Sequence, residues 1–463
     1  MTPAPTTGLP YLVVGAGPCG LAAARALKRK GIPFEIVERH SRVGGIWDID
    51  NPGSPMYETC HFITSKVNGG FLDYPMPEDY PTYPSWKQVH AYVEDMARDH
   101  GLLPHIRFNT TITNAEPLDQ TEAPAWRVET AEGHLGDYAG IVYAAGQQWD
   151  PYIPEFEGMT DYRGRLIHSR EYRYTDEFVG KRVLVVGAGN SGVDIAVDAA
   201  DHADRAVLST RRPYYFLPKQ IFGVPIPDLM AGLIPLPHIP NVPDGINPFQ
   251  MVDLVLSTVG PLENYGLETP DWPFGATQPI VSDLVLHHFS HGSLSHKPNI
   301  ARFTAEGVEF EDGTSEPFDV VVMATGFDIK IPWLSSEIVD PNDGHPQFLL
   351  GTLSEKFHTL YAVGVVHPSR ANAWTLFDQM SHVAVADIMA RDYGVNVEGV
   401  ARLRAEYRPN LKGDFPFINV RRNENQADNM ALDAMLRTLR VTYGVDIPEA
   451  NHDGYYLPTR LAS

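Results

Sequence analysis

The sequence has very little cysteine: Cys19 and Cys60 are the only two in 463 residues. They cannot form a C-x-x-C pair, which excludes a dithiol redox centre and a zinc site built from cysteines. Unpaired cysteines persist in reducing compartments, so we expect both to be buried thiols. The 18 histidines show no metal-ligand spacing, and no metal site is predicted.

Positive charge is also scarce. Lys and Arg number 36 against 58 Asp and Glu, which leaves a net charge of −22. Nucleic acids and anionic membranes attract clustered cations, so neither is an expected partner. No apolar stretch is long enough to span a bilayer, and residues 1–10 lack the basic start and apolar core of a signal peptide. A cytoplasmic location is therefore expected.

What is present is a globular composition, with 43% apolar and 20% charged residues. A chain of 463 residues exceeds one ordinary core, so two or three domains are expected.

A glycine-rich loop opens the first unit. Gly15-Ala16-Gly17-Pro18-Cys19-Gly20 has the G-x-G-x-x-G spacing of a dinucleotide site, between an apolar run at 11–14 and a helix-like stretch at 21–28. Its glycines permit a tight turn, close approach of a pyrophosphate and close helix–strand packing. Glu38 ends the next apolar run, about 20 residues on, where an acid binds a ribose hydroxyl.

A second glycine-rich loop, Gly187-Ala188-Gly189-Asn190-Ser191-Gly192, repeats the pattern after the apolar run 182–186. Thr210 stands at the position that corresponds to Glu38, and Arg211 and Arg212 follow it. An arginine pair in place of the acid suits a ribose 2′-phosphate, so this loop is predicted to prefer NADP to NAD. The alternative is a solvated arginine pair without a ligand.

The duplication extends beyond the loops. The stretch 322–326, V-M-A-T-G, echoes 142–146, V-Y-A-A-G, at a similar distance after its own loop. We infer two related nucleotide-binding units in one chain. The predicted fold class is α/β with two Rossmann-like dinucleotide-binding domains, one for a bound cofactor and one for a nicotinamide that visits it.

Periodicity and composition predict further elements. Helices are expected at 87–101, 378–391 and 424–440, and strands at 106–112, 125–130 and 205–209. Residues 43–47, V-G-G-I-W, are interpreted as an ordinary turn with a core tryptophan, the alternative being backbone packed against a flat partner. The proline-rich stretch 217–248 is expected to be an irregular surface excursion that could gate substrate entry. The last sixty residues suggest no chemistry.

A family resemblance is carried by residues 162–172, Y-R-G-R-L-I-H-S-R-E-Y. They resemble the identifying sequence F-x-G-x-x-x-H-x-x-x-Y/F of flavin-containing monooxygenases, with Tyr162 in place of the first Phe. Residues 209–212, 324–327 and 64–66 with 71–75 resemble further motifs of that family. The likeness runs from about residue 10 to about residue 390.

The resemblance implies FAD in the first unit and NADPH in the second, with O2 and a small-molecule substrate as the other partners. It divides the chain into an FAD-binding domain of residues 1–168 and 318–463 and an inserted NADPH-binding domain of residues 169–317. NADPH would reduce the flavin, which would take up oxygen as a peroxyflavin. A soft nucleophile, an amine nitrogen or a sulfide sulfur, would attack the distal oxygen in a dry, closed site. Relatives are often dimers, so a homodimer is one expected assembly.

Site residues follow from the resemblance by position. FAD would contact Gly15, Ala16, Gly17, Pro18, Cys19, Gly20, Glu38, Ile46, Trp47 and Thr64. NADPH would contact Ser191, Gly192, Val193, Asp194, Arg211 and Arg212, with Phe62 and Ile63 on the nicotinamide side.

One departure from the family pattern is Ile63, which stands where many members have an asparagine that helps to handle the peroxyflavin. Asn68 is the nearby candidate to replace that amide. His168 could be catalytic, but a hinge or packing role between the two units is favoured.

Three alternative functions remain open. Baeyer–Villiger oxidation of ketones is disfavoured because its pattern places Trp at Tyr172. A flavin-dependent NADPH reductase or oxidase without oxygenation is kept open by Ile63. A non-enzymatic nucleotide sensor explains the second loop poorly.

Overall fold

Two mainly parallel sheets organise the chain, and each is built around one of the glycine-rich loops. The computed structural model describes residues 8–230, 248–335, 338, 348–368 and 373–449. The first sheet contains β1 (Tyr11–Val14), β2 (Phe34–Val37), β3 (Ile106–Arg107), β7 (Gly140–Tyr143), β22 (Phe348–Leu349), β23 (Leu353–Ser354) and β24 (Leu360–Ala362). Its order is β22-β23-β24-β7-β1-β2-β3, and the pairs from β24 to β3 are parallel.

The second sheet is parallel throughout. It contains β9 (Arg165–His168), β10 (Arg182–Val186), β11 (Arg205–Ser209), β16 (Leu294–Lys297) and β20 (Val320–Met323). The order is β16-β11-β10-β20-β9. The central strands β1 and β20 are apolar and buried at every position, as expected where helices and loops cover both faces of a parallel sheet.

Smaller sheets and the helices surround these two. Antiparallel three-stranded sheets are formed by β4 (Ile112–Pro117), β5 (Trp126–Thr130) and β6 (Gly133–Tyr138), and by β17 (Ile300–Phe303), β18 (Gly307–Phe310) and β19 (Ser315–Pro317). Two-stranded pairs are β8 (Asp150–Pro151) with β21 (Phe327–Asp328), β12 (Phe216–Leu217) with β15 (Ile280–Val281), β13 (Gln220–Ile221) with β14 (Val224–Pro225), and β25 (His367–Pro368) with β26 (Gln426–Ala427). The helices are α1 (Pro18–Arg29), α2 (Trp86–Asp99), α3 (Asn190–His202), α4 (Ile226–Met230), α5 (Pro248–Val259), α6 (Leu284–His291), α7 (Ala373–Tyr393), α8 (Val397–Glu406) and α9 (Asn429–Tyr443).

The two sheets repeat one arrangement. In the first, β1 lies between β2 and β7, and Gly15 N–H donates to Val37 O at 2.8 Å. In the second, β10 lies between β11 and β20, and Gly187 N–H donates to Ser209 O at 2.9 Å. The internal repeat predicted from the two loops is therefore present in the backbone hydrogen bonds.

The chain passes between the sheets at β8 and β21, which pair antiparallel. β9 and β20 hydrogen-bond in the second sheet, so residues 165–168 and 320–323 belong with it. The expected domain limits at 168/169 and 317/318 assigned these strands to the first unit. Strand pairing places both passages at β8 and β21 instead, and this corrects the limits.

The strand predicted over 106–112 is wrong in its middle. β3 ends at Arg107 and pairs with β2, whereas β4 begins at Ile112 in a different sheet. Asn109 between them has a φ of 52°, a left-handed conformation that ends the extended run.

The helix predicted over 424–440 starts later. Gln426 and Ala427 form β26, and the Asp428 side chain accepts a hydrogen bond from Ala431 N–H at 3.1 Å, so α9 begins at Asn429. The helix predicted over 378–391 lies inside α7, which the buried Arg25–Asp378 ion pair at 2.6 Å ties to α1.

The proline-rich stretch contains more order than predicted. Its described part, 217–230, includes short strands and α4, and its apolar side chains form a small core with Met251 and Val255 of α5. It is therefore not an irregular surface excursion over those residues. The expected gate falls partly on 231–247, which lie outside the described residues.

Candidate functional site

A cleft of about 1160 Å³ joins the carboxyl ends of the central strands of both sheets. Open α/β sheets bind ligands at this edge. Most of the residues predicted for the site line it: Gly15, Gly17, Pro18, Cys19, Glu38, Ile46, Trp47, Phe62, Ile63, Thr64, Ser191, Gly192, Asp194, Arg211 and Arg212. One continuous space thus contacts both glycine-rich loops.

Two glycines of the first loop are required by the fold itself. Gly15 has a φ of 104°, and a Cβ there would lie 2.8 Å from Ala144 O. A Cβ on Gly20 would lie 1.8 Å from Gly15 O. Gly17 differs, because its backbone is extended and a Cβ would lie 3.4 Å from Gly45 Cα, an ordinary contact. The protein itself does not require glycine at 17.

The second loop has the same division. Gly187 has a φ of 102°, and a Cβ there would lie 2.6 Å from Ala324 O. A Cβ on Gly192 would lie 2.0 Å from Gly187 O, whereas a Cβ on Gly189 would meet nothing within 4 Å. Gly17 and Gly189 therefore stand at matching points of the cleft where the protein itself tolerates a Cβ, as expected where the backbone must allow close approach of a pyrophosphate.

The helix ends supply the anion-binding groups. The first helical bonds run from Leu21 N–H to Gly17 O at 3.0 Å and from Val193 N–H to Gly189 O at 2.9 Å. Earlier N–H groups have no partner within a helix, and the dipoles of α1 and α3 favour negative charge there. Both ends fit the diphosphate of a dinucleotide.

Glu38 is held at the edge of the first site. Its carboxylate accepts hydrogen bonds from Ala16 N–H at 2.7 Å and from His40 N–H at 2.9 Å, and the residue is 5% exposed. In the second sheet Thr210 occupies the equivalent position after β11, and its hydroxyl bonds His296 Nε2 at 2.8 Å. Of these two equivalent positions, only the one in the first unit carries the acid that suits a ribose hydroxyl.

Arg211 and Arg212 line the cleft just after β11. The Arg212 guanidinium lies 5.3 Å from the centre of the Tyr214 ring. Its Nε is buried and has no hydrogen-bond partner among the described residues. An orphaned cationic donor beside a second, exposed arginine fits a 2′-phosphate, so the residues present fit NADPH here.

Aromatic side chains form the wall between the two loops. The Phe62 ring packs edge-on against Trp47 at 5.2 Å and Trp374 at 5.5 Å between ring centroids. The turn 43–47 serves this wall: Gly44 N–H donates to Ala16 O at 3.1 Å, and Trp47 faces the cleft. The predicted turn is thus packed against the glycine loop.

The segment that carries Phe62 and Ile63 is anchored by the residues after it. Ser65 Oγ donates to Asp228 at 2.6 Å, and Lys66 Nζ donates to Tyr80 O at 2.6 Å. Thr-Ser-Lys therefore fixes the backbone of the wall, and Thr64 is the member that lines the cleft.

Four predicted site residues do not line the cleft. The Ala16 N–H is taken by Glu38, Gly20 packs on the first loop, and Val193 is fully buried in the core. Asn68 is 3% exposed, and its amide donates to Pro227 O at 3.3 Å. The structure does not bring Asn68 to the position beside Ile63.

Asp194 lines the cleft but is already bonded to the first unit. Its carboxylate accepts a hydrogen bond from the Tyr57 hydroxyl at 2.9 Å. One turn later, Asp198 accepts from Thr59 at 2.7 Å and Tyr172 at 3.0 Å. Burial raises the pKa of both carboxyl groups, that of Asp198 to about 6. This face of α3 therefore ties the second loop to the segment that leads to Phe62.

His168 is buried outside the cleft lining. Arg170 N–H donates to its Nδ1 at 3.1 Å, so Nε2 carries the proton that reaches Gly326 O at 2.9 Å. Burial lowers the pKa of this imidazole. The neutral ring joins the end of β9 to the residue before β21, which is a packing role.

Both cysteines are buried free thiols, as predicted. Burial raises the pKa of each to about 12, so neither is a thiolate at neutral pH. Among the described residues no group of His, Cys, Asp and Glu is placed to hold a metal ion. No helix in that part of the chain has the length and apolarity to cross a membrane.

Sequence reasoning missed the part of the cleft that comes from the C-terminal region. Trp374 and Phe377 of α7, together with Arg421 and Gln426, line it. No local pattern marks these residues, because they reach the cleft through contacts with distant segments.

Comparison with known proteins agrees with this geometry. A family model described as flavin-binding monooxygenase-like matches residues 11–372. Indole-3-pyruvate monooxygenase YUCCA1 of Oryza sativa subsp. japonica is 31% identical over 335 residues, 70% of this chain and 78% of that protein. Flavin-containing monooxygenase 5 of Rattus norvegicus is 31% identical over 338 residues, 70% of this chain and 63% of that protein.

Solved structures share the fold. The flavin-containing monooxygenase from Stenotrophomonas maltophilia superposes with a TM-score of 0.62 at 20% identity, covering 83% of this chain and 98% of that one. A cyclohexanone monooxygenase with bound epsilon-caprolactone gives 0.66 at 18% identity, covering 96% and 99%. The predicted α/β fold with two Rossmann-like domains is confirmed.

Proposed function

The chain belongs to the flavin-binding monooxygenase-like family, and from this premise we propose that it transfers one oxygen atom of O2 to an amine nitrogen or a sulfide sulfur. As a member it is an NADPH-dependent flavoprotein monooxygenase with FAD and NADPH as cofactors. Bound flavin supplies hydride acceptance and oxygen activation. Everything else is the task of the polypeptide: binding, orientation and exclusion of water.

The observation that carries the proposal is the shared cleft. Both glycine-rich loops line it, together with Glu38 after the first unit's β2 and the Arg211–Arg212 pair after the second unit's β11. We assign FAD to the loop of Glu38 and NADPH to the loop of the arginines. The aromatic side chains Trp47, Phe62 and Trp374 line the same cleft and would border the two cofactors there.

The chemistry of that wall supports a soft nucleophile as substrate. Phe62, Ile63 and Trp374 are apolar, and neither thiol can act as a nucleophile at neutral pH. Amine and sulfide oxygenation by an activated cofactor needs no strong acid or base from the protein, but it needs a site that excludes water.

The test is a product assay with the holoenzyme, NADPH and O2. A tertiary amine, a sulfide and a cyclic ketone are supplied separately, and hydrogen peroxide is measured alongside the products. An N-oxide or sulfoxide formed in proportion to NADPH consumed supports the proposal. NADPH consumption that yields only hydrogen peroxide with every compound would contradict it and favour an oxidase.

A second candidate is oxygenation of a carbonyl compound. It is favoured by the relative at 31% identity whose name makes it an indole-3-pyruvate monooxygenase. A 2-oxo acid in the same assay distinguishes it, because conversion of that acid without N- or S-oxygenation would replace the first candidate.

Location and assembly complete the proposal. We place the enzyme in the cytoplasm, which the two buried free thiols support. A homodimer is the proposed assembly, and light scattering of the purified protein at several concentrations tests it.

A further inference from the structure

The C-terminal strap, which we define as residues 415–427, lies beyond the region that the family model matches, 11–372. Both glycine-rich loops fall inside that shared region. Members of the family share cofactors but differ in substrate. A cleft-lining segment outside the shared region is therefore placed to recognise the substrate.

The strap is bonded to the second unit through Ile418 and Asn423. Ile418 N–H and the Asn423 side-chain amide donate to Ala276 O at 3.0 and 2.9 Å. Thr277 Oγ1 donates to Asn423 Oδ1 at 3.3 Å, and both residues are 2% exposed. This attachment is a buried, hydrogen-bonded joint.

The strap is bonded to the first unit at its end. β26 pairs in parallel with β25, with His367 opposite Gln426, and His367 N–H donates to Asn425 O at 3.0 Å. Both β25 and β26 contribute residues to the cleft.

The middle of the strap rests on the passage between the two units. The Arg421 guanidinium lies 3.9 Å from the centre of the Tyr152 ring and forms an ion pair with Asp328. Tyr152 follows β8, and Asp328 belongs to β21. The strap is thus fixed at three places, so its side chains hold defined positions at the cleft.

Gln426 has an unmet hydrogen-bonding requirement at this wall. It lines the cleft, is 6% exposed, and its Oε1 is buried without a partner among the described residues. An unsatisfied buried acceptor destabilises the protein, and an occupant that brings an N–H or O–H group removes that cost.

A neighbouring glutamine shows the contrast. Gln147 also lines the cleft, but its amide is fully used. Its Nε2 donates to Gly364 O and Val365 O, and its Oε1 accepts from His367 Nε2 at 2.8 Å. Gln147 is committed to the protein, whereas Gln426 keeps an acceptor for a ligand.

We propose that Gln426 is a specificity-determining residue that accepts a hydrogen bond from an N–H or O–H group of the substrate. The substrate class is then an apolar molecule that carries an uncharged donor besides its oxidised atom. The identity of the oxidised atom rests on the proposed function. The presence of a hydrogen-bond donor on the substrate does not.

The test uses two compounds that differ in one group, 2-hydroxyethyl phenyl sulfide and propyl phenyl sulfide. Binding of each to the FAD- and NADP⁺-loaded protein is measured by calorimetry, for the unaltered chain, for Gln426→Leu and for Asn419→Leu. Asn419 is an exposed residue of the same strap that does not line the cleft, so its variant is the matched control.

The unaltered chain and Asn419→Leu should bind the hydroxyl compound about 5 to 100 times more tightly than the propyl compound, and Gln426→Leu should lose that preference. FAD content and NADPH affinity should be the same in all three. An unchanged preference in Gln426→Leu, equal binding of both sulfides to the unaltered chain, or a loss of FAD or NADPH binding would each overturn the proposal.

Oxygenation of the two compounds is followed separately. Binding with the expected preference but without sulfoxide leaves Gln426 supported and contradicts the proposed function. Sulfoxide formation from both compounds, with no dependence on Gln426, supports the proposed function and contradicts the role of Gln426.

Discussion

Replacing Gly189 by alanine separates the needs of a ligand from the needs of the fold. The residue has a φ of −72° and a ψ of 171°, extended backbone that alanine adopts without strain. Its Cβ would meet no atom within 4 Å. Folding should therefore be largely unharmed, because the smaller entropy of the unfolded chain, about 0.4–1 kcal/mol, is offset by the weaker N-cap that alanine provides for α3.

The same methyl group would occupy cleft space that we assign to the NADPH pyrophosphate. Forcing an extra methyl group against a close-packed partner costs about 1–3 kcal/mol. At about 1.4 kcal/mol per factor of ten, the dissociation constant for NADPH should rise about 5- to 150-fold. FAD content should not change, because Gly189 belongs to the second loop.

Three measurements check this reasoning: the FAD-to-protein ratio from absorbance, NADPH affinity by titration, and the melting temperature. Gly17→Ala is the matched variant in the first loop and should lose FAD instead. Gly192→Ala should destabilise the fold itself, since its Cβ would lie 2.0 Å from Gly187 O. NADPH affinity within twofold of the original in a folded Gly189→Ala protein would refute the assignment of that space.

Three further changes probe the second site and its attachment. Arg211→Ala should weaken NADPH about 10- to 150-fold and leave NADH nearly unchanged, because a charged hydrogen bond to the 2′-phosphate is lost; equal weakening of both nucleotides would assign the residue another role. Burial raises the Asp198 pKa from 3.8 to about 6, so its contribution to stability falls as pH rises from about 4 to 6. Asp198→Asn should therefore gain about 2 kcal/mol relative to the original between pH 4.5 and pH 7, read as melting temperatures at both values; parallel pH curves would contradict this. Tyr57→Phe removes the 2.9 Å bond to Asp194 and should raise the KM for NADPH without loss of FAD, and unaltered steady-state kinetics would show that the bond has no positioning role.

The glycine loops and their strands could be predicted because their signals are local. The first loop lies between a four-residue apolar run and a helix; β1 occupies the predicted run, and α1 begins at Pro18, three residues before the predicted helix-like stretch. The comparison of Glu38 with Thr210 also holds, because β2 and β11 end at equivalent points of their sheets. Spacing within about 30 residues of sequence was enough for all of this.

The limits of the other elements depended on single residues that periodicity does not weigh. The left-handed Asn109 divides one expected strand into two, and the Asp428 cap delays α9. The assignment of 165–168 and 320–323 to the second sheet was missed because pairing between strands over 150 residues apart leaves no local signal.

The same reason explains why the last sixty residues looked inert. Arg421 and Gln426 carry no motif, and each reaches the cleft only through the joints of the strap. A residue whose role is set by distant partners cannot be recognised from its neighbours in sequence.

Ile63 shows how these distant residues bear on the chemistry. An isoleucine donates no hydrogen bond, and Asn68 is turned away toward Pro227. Ile63 can contribute exclusion of water. It lies beside Phe62, whose ring packs edge-on against Trp374 with 5.5 Å between the ring centroids. The wall is therefore made jointly by the shared region and by α7, whose first turn lies just beyond it. Control of the reacting atoms in this chain should accordingly depend more on closure of the cleft than on any single polar group beside the flavin.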